Sequence, residues 1–278
     1  MNHKMKLLSL IVSSVALVAV SRATTIDYPD FSSVGGLTLN GDTAQAGNAL
    51  RLTPAAFNQS GSAFSTSTIA LSNLSSFSTR FQFQISNSGG IGDNDGIGAD
   101  GIAFVVQTVS NSTGGSGGGI GYQGINPSVG IEFDTYDNGG WDDFNGNHVG
   151  IDLNGNIDSV TQAAVSPRFN DGNIWTAWVD YDGTSGLLEV RVNQTGVRPG
   201  ASLLSYNVDL AALLGTPNAY VGFTAGTGSG WGAQDILNWT FESDYAPIGD
   251  VPEAGSTVAL LGLGLVVLTG IARRNRRN

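Results

Sequence analysis

Along most of the chain the apolar residues fall in short runs or alternate one in two with polar ones. The 3.6-residue stripe of an amphipathic helix is nearly absent. This patterning predicts strands over Leu37 to Leu39, Leu50 to Thr53, Ala63 to Ile69, Ser78 to Ile85, Ile102 to Val109, Ser128 to Tyr136, His148 to Leu153, Ile174 to Asp182, Leu187 to Asn193, Ala219 to Ala225 and Ile236 to Phe241. One helix-like patch stands out, Val208 to Leu214. Gly, Ser, Thr and Asn fill the intervals, which is turn chemistry. Many short strands without a Cys-Trp-Cys spacing imply an all-β fold, a jelly-roll-like β-sandwich of two packed antiparallel sheets.

The two ends depart from this pattern. Residues 1–23 carry a basic start (Lys4, Lys6), an apolar run from Leu7 to Val20 and a small-x-small site at Ser21-Arg22-Ala23, the make-up of a secretory signal peptide. Residues 251–278 open on Val251-Pro252-Glu253 and continue into an apolar stretch, Val258 to Ala272, followed by Arg273, Arg274, Arg276 and Arg277. Counted from Ser256 the stretch is about seventeen residues, near the lower limit for a short transmembrane helix. Arginines placed there hold that end on the cytoplasmic side and leave everything before it outside. Residues 24–250 are therefore expected to be one exported domain, long enough for a large core.

Charge narrows the range of partners. The expected domain keeps all but Glu253 of the chain's 23 acidic residues against only Arg51, Arg80, Arg168, Arg191 and Arg198. Such a surface repels phosphate backbones and argues against nucleic acid. The chain has no cysteine, so disulfides contribute nothing.

The densest chemistry lies between Gly130 and Asp152, GIEFDTYDNGGWDDFNGNHVGID. Period-two alternation places Glu132 and Asp134 on one face of a strand, with Ile131 and Phe133 on the other. Carboxylates so close repel unless a cation or a shared proton intervenes. Oxygen donors from carboxylates, carbonyls and amides suit calcium, and one imidazole fits a second position for a transition metal such as manganese. His148 is the only histidine besides His3.

At these residues the chain resembles the legume-type (L-type) lectins, whose metal loop runs E-x-D-x-[YF]-x-N, then an Asp, then H-[IV]-G-I-D. Glu132, Asp134, Tyr136, Asn138, His148 and the trailing Val149-Gly150-Ile151-Asp152 carry the match. The resemblance implies a concanavalin-like sandwich. It also implies manganese, or another transition metal, on Glu132, Asp134, a later Asp and His148, with calcium on both Asp residues, the Asn138 side chain and the Tyr136 carbonyl. That later Asp is Asp143, at a usual distance before the histidine, with Asp142, which follows a Trp, as the alternative. Phe144 stands where the family commonly has Pro.

The likeness extends to Leu37 to Asp42, to Phe77 to Ile85 and to Gly222 to Ala225 leading into Leu237 to Phe241. It also covers Ala99-Asp100-Gly101-Ile102-Ala103-Phe104, where it implies a cis Ala99–Asp100 peptide and an Asp100 carboxylate that accepts from sugar hydroxyls. In the Gly-rich loop Gly114 to Gly121 it assigns a backbone donor to Gly118, while Tyr136 offers a ring and Asn138 an amide. The loop Thr227 to Gln234 would set specificity, with Ser229 and Gly230 nearest the sugar and Trp231 beside them. The tail, V-P-E-x-G-S-T with an apolar helix and arginines, resembles the PEP-CTERM and VPDSG-type sorting signals that an exosortase processes in Gram-negative bacteria.

These features together predict an exported, metal-dependent carbohydrate-binding protein without catalysis. It would sit at a Gram-negative cell surface or in an exopolysaccharide matrix, with a glycan or exopolysaccharide and the exosortase as partners. Assembly into a homo-oligomer would raise the modest affinity of one site. Two other readings share some of the signals: a metal-stabilised structural matrix protein with no sugar site, and a laminarinase-like glycoside hydrolase using Glu132, Asp134 and Asp137.

Overall fold

A computed structural model describes residues 23–72, 74–115, 117–141 and 144–249. The expected signal peptide, up to its last residue Ala23, and the expected tail therefore lie outside the described residues, as do Asp142 and Asp143. In chain order the strands are β1 (Thr25–Tyr28), β2 (Leu37–Gly41), β3 (Ala44–Ala46), β4 (Ala49–Thr53), β5 (Ser60–Ser65), β6 (Ile69–Ala70), β7 (Phe77–Gly90), β8 (Gly92–Asp93) and β9 (Gly96–Ile97). There follow β10 (Gly101–Gln107), β11 (Ser128–Asp134), β12 (His148–Leu153), β13 (Thr161–Ala164), β14 (Ile174–Asp182), β15 (Leu187–Asn193), β16 (Leu204–Asn207), β17 (Asn218–Gly226) and β18 (Gly230–Glu242).

Among the described residues these strands form two eight-stranded antiparallel sheets and one small hairpin, β8–β9. The back sheet runs β16-β15-β14-β7-β18-β4-β3, with β1 also on β18. The front sheet runs β13-β12-β11-β10-β17-β5-β2, with β6 also on β17. Alternation drives their inner faces together. Phe81 of β7 meets Phe133 of β11 edge-on at 5.7 Å and Phe223 of β17 at 5.0 Å, while Phe83 reaches Phe133 and Phe169. Trp239 packs on Phe223 at 5.0 Å and donates its indole N–H to Thr79, so its polar edge is satisfied inside the core. Emptying such a ring position costs about 3–5 kcal/mol.

A smaller cluster lies on the outer face of the front sheet. Ile120, Tyr122 and Ile125, from the connection between β10 and β11, fold back over Phe64, Ala103 and Val105. The short helix α1 (Leu210–Leu214) is capped by Asp209, whose carboxylate accepts from the Ala212 amide at 2.9 Å, and stopped by Gly215 at φ 70°.

β12, β14 and β15 have the bounds the pattern predicts. β11 ends at Asp134, so Thr135 and Tyr136 belong to the following loop and not to the strand. The run read as Ala63 to Ile69 begins earlier, at Ser60, and breaks after Ser65. Its Ser60-Gly61-Ser62 start is polar yet pairs with β17 and β2.

Candidate functional site

One end of the sandwich gathers the loops that follow β7, β11 and β17 and those that precede β10, β12 and β18. All the sequence-predicted site residues that are described come to this pole.

β11 and β12 pair antiparallel with Glu132 opposite Gly150, which brings Glu132 and His148 together on the outer face. Glu132 Oε1 lies 3.0 Å from His148 Nε2, and both residues are 1% exposed or less. A Cβ on Gly150 would overlap Glu132 Oε1 and Ser159 Oγ, so only glycine lets the carboxylate cross this strand. The other imidazole nitrogen, Nδ1, faces the Asn145 carbonyl oxygen at 2.7 Å and must donate to it. A neutral ring would then present its Nε2 lone pair to a carboxylate. The pair is satisfied by an imidazolium, or by a cation held between the two groups.

Charge is compressed further around this pair. Ser159 Oγ lies 2.9 Å from Glu132 Oε1 and 2.7 Å from Asp152 Oδ1, and its single proton cannot serve both carboxylates. Asp152 and Asp134 are fully buried. Tyr122 closes the floor: its hydroxyl donates to the Asp152 carbonyl oxygen and accepts from the Gly155 amide. Burial, then the Asp152 charge, pushes that phenol well above its usual range. Beyond Asp134 the loop turns at once, with the Tyr136 amide donating to Asp134 Oδ1 at 2.6 Å and the Gly139 amide to Asp137 Oδ1 at 2.7 Å. Tyr136 and Asn138 are half-buried on this turn.

Among the described residues no three His, Asp or Glu side chains form a metal-holding group. The donor chemistry present fits divalent cations nonetheless. Oxygen donors and one imidazole converge here, and among the described residues the arginine ion pairs fall elsewhere, at Asp235, Asp180 and Glu189.

Next to this loop stands Asp100, 4% exposed, after a cis Ala99–Asp100 peptide. Its amide donates to the Gly226 carbonyl at 3.2 Å and its carbonyl accepts from Thr135, which ties it to both flanking loops. The Gln234 amide group lies beneath, 3.4 Å from the Ala99 oxygen and 3.2 Å from the Gly226 oxygen. A Cβ on Gly228 would sit 3.5 Å from Asp100 Oδ2 and 3.8 Å from Gly117 Cα. The Gly-rich loop is thus beside the carboxylate, with Gly118 half-buried in the turn Gly117–Gly119. Ser229 is exposed, and Gly230 is buried against Ala99. The indole of Trp231 lies over Gly89 and Gly90, half-buried against the end of β7.

The spacing read as a hydrolase motif does not form one face. Asp137 lies in the loop beyond the end of β11, while Glu132 is enclosed by His148 and Ser159.

The sequence assigns no role of their own to Asp93, Asp152, Ser159 and Gln234, although Asp152 and Gln234 fall within stretches that it singles out. Asp93 is the most informative of these. On the β8–β9 hairpin its Oδ1 accepts from the amides of Asp95 and Gly96 at 2.9 and 3.2 Å, and its Oδ2 reaches across to the Asp137 amide at 2.8 Å. A Cβ on Gly146 would overlap that carboxylate. Asp93-Asn94-Asp95-Gly96 announces an Asx turn, but the bond to Asp137 spans 44 residues and leaves no local trace.

Similar proteins place this arrangement. Residues 23–254 match the model of the legume lectin domain, and residues 250–277 match the PEP-CTERM protein-sorting motif. The L-type lectin-domain containing receptor kinase VIII.1 of Arabidopsis thaliana is 32% identical over 257 residues, covering 84% of this chain and 34% of that protein. The chain thus spans about a third of that receptor kinase's length. Bark agglutinin I polypeptide B of Robinia pseudoacacia is 32% identical over 204 residues, 69% of this chain and 65% of that one. Among solved structures, the lectin from Bauhinia forficata in complex with GalNAc superposes with a TM-score of 0.68 at 29% identity, covering 79% of this chain and 97% of that chain. With its family model matched across both sheets and the whole pole, this chain belongs to the legume lectin domain family.

Proposed function

We propose that this is an exported, metal-dependent lectin of a Gram-negative cell surface or exopolysaccharide matrix, binding glycans at the pole around Asp100. Its domains are a signal peptide over 1–23, the lectin domain over 24–250 and a sorting tail with a short membrane-spanning helix over 251–278, on which an exosortase acts. The observation that carries the reading is the buried Glu132–His148 pair, directly beside the loop that presents Tyr136 and Asn138 and is tied to Asp100 through Thr135.

Manganese or another transition metal would be held by Glu132, Asp134, His148 and Asp143, with Asp142 as the alternative to the last. Calcium would be held by Asp134, the Tyr136 carbonyl, Asn138 and the same later Asp. The bound ions would add positive charge among these carboxylates. The chain's own groups do the recognising. Asp100 accepts from sugar hydroxyls, Asn138 adds an amide, Gly118 a backbone N–H and Tyr136 a ring for the apolar face of the sugar, with Ser229 and Gly230 shaping the rim. A few polar groups around an aromatic surface are the usual source of small-ligand specificity. The reading is binding without turnover.

A glycan array probed with the purified chain in calcium and manganese, then again in EDTA, tests this. Binding that EDTA abolishes and a simple sugar competes away is expected. Equal signals in both conditions would remove the metal from the account. Absence of binding together with a metal-dependent melting temperature would favour a structural matrix protein on the same scaffold.

A further inference from the structure

Two phenylalanines stand exposed at the sugar pole, each on a backbone with local hydrogen bonds. Phe57, 62% exposed, lies on the turn between β4 and β5. Around it Thr227 Oγ1 donates to the Ala56 carbonyl, the Asn58 amide donates to the Gly228 carbonyl, the Gln59 amide donates to Thr227 Oγ1 and the Gln59 side chain donates to the Phe57 carbonyl. Phe144, 75% exposed, lies in the loop between β11 and β12 at φ 55°, a backbone conformation that an aromatic L-residue rarely adopts. Its amide donates to the Gly139 carbonyl, and its ring lies against Gly140. A phenyl on a hydrogen-bonded backbone has fewer degrees of freedom to lose when something stacks on it. Strain tolerated at an exposed loop residue points toward function.

The topology puts the two rings on opposite sides of Asp100. Across this edge of the front sheet the strands run β12, β11, β10, β17, β5, and Asp100 immediately precedes β10. Phe144 belongs to the β11–β12 loop and Phe57 to the turn entering β5. At the usual strand spacing these positions are roughly 19 Å apart. That is the length of several linked pyranose rings, too long for one sugar. Ile91 and Ile97 of the β8–β9 hairpin, both exposed, extend the apolar rim.

Charge decides the kind of chain. Asp93, Asp95, Asp100 and Asp137, none of them among the proposed metal ligands, cluster here, and Arg168, bound to the Ile97 carbonyl, lies beside the hairpin. A uronic-acid or sulfated polymer is repelled, whereas the apolar face of an uncharged sugar stacks on phenyl.

We infer that the site takes an internal segment of a neutral polysaccharide, with one residue held at Asp100 and its neighbours along the chain stacked on Phe57 and Phe144. This rests on the sugar-site reading above and adds the length and charge of the ligand.

The test uses the purified full chain in calcium and manganese with neutral glucan, mannan and galactan ladders of one to six residues, and an oligogalacturonate ladder as the charged counterpart. For the ladder whose monomer binds, affinity is expected to rise at least tenfold from monomer to tetramer. Phe57→Ala and Phe144→Ala should each lower tetramer affinity about fivefold, leaving monomer affinity and melting temperature unchanged, and Phe57→Tyr should restore it. Affinity independent of length, equal loss for monomer and tetramer in the alanine variants, or preference for oligogalacturonate would overturn the inference while leaving a sugar site. Failure of every monomer and oligomer to bind would overturn the sugar site itself, and the inference with it.

Discussion

On the outer face of the back sheet Asp180, 1% exposed, lies 2.7 Å from Arg198 and 3.5 Å from Arg191. On the outer face of the front sheet Glu132 is just as buried but faces an imidazole and a serine hydroxyl. The first carboxylate has its counter-charges within the chain: burial still holds its pKa above the usual carboxylate range, and the hydrogen bond and charge of Arg198, then the Ser78 hydrogen bond and the charge of Arg191, offset part of that rise. The second has no guanidinium partner among the described residues and sits beside two further buried carboxylates, Asp134 and Asp152. Removing a charge from water costs several kcal/mol unless something opposes it. The first is an ion pair closed by arginine, whereas at the second an imidazole faces the carboxylate, and it is there that the proposed cation would sit.

The largest expected effect breaks the self-sufficient side. Arg198→Met leaves Asp180 with its more distant partner and should cost about 3 kcal/mol in urea unfolding, by the same amount with and without EDTA. A cost that depended on EDTA would mean the two regions are not separate. Glu132→Gln acts in the opposite sense. Wild type should gain about 2.7 kcal/mol in divalent cations at a hundredfold excess over the dissociation constant, and the variant should gain almost nothing. In EDTA the variant should be about as stable as wild type, because the loss of the His148 pairing is offset by removing one of three crowded buried carboxylates.

Reading the sequence reached most of this pole and much of the fold. The strands with strict alternation, such as β12 and β14, were legible because one face is buried against the other sheet. The short edge strands β3, β13 and β16 were not: Thr161–Ala164, for example, is half polar and owes its conformation to pairing with β12. Among the candidate ligands, Glu132 and His148 declared themselves through spacing, and their contact follows from the β11–β12 register. Asp93, Ser159 and Gln234 did not, since their partners lie far along the chain and their own neighbours look like ordinary turns or strand.

Asp93 sharpens the comparison at a finer scale. Asp93→Ala removes the tie to the Asp137 amide and should cut the cation-dependent stabilisation by roughly 1.5 kcal/mol, while the melting temperature in EDTA changes little. Loss of equal size in EDTA would make Asp93 a general fold residue.

The smallest effect comes from Tyr122, under the front-sheet carboxylates. Its folded pKa is raised above 10.0 by burial and by Asp152, so the unfolded chain gives up its proton first. Stability is therefore fully present below pH 10 and falls as pH rises beyond it, by roughly 1 kcal/mol over the first unit. Tyr122→Phe should flatten that decline in alkaline unfolding curves, and an unchanged slope would place the loss at the other tyrosines.

The most direct test of the claim that the front-sheet carboxylates await a cation is calorimetric titration of the EDTA-treated chain with manganese and then calcium, beside Glu132→Gln. Stoichiometric uptake of both ions by wild type with a rise in melting temperature, and loss of the manganese step in the variant, is the predicted result. Wild-type protein that takes up neither ion and melts at the same temperature throughout would contradict it.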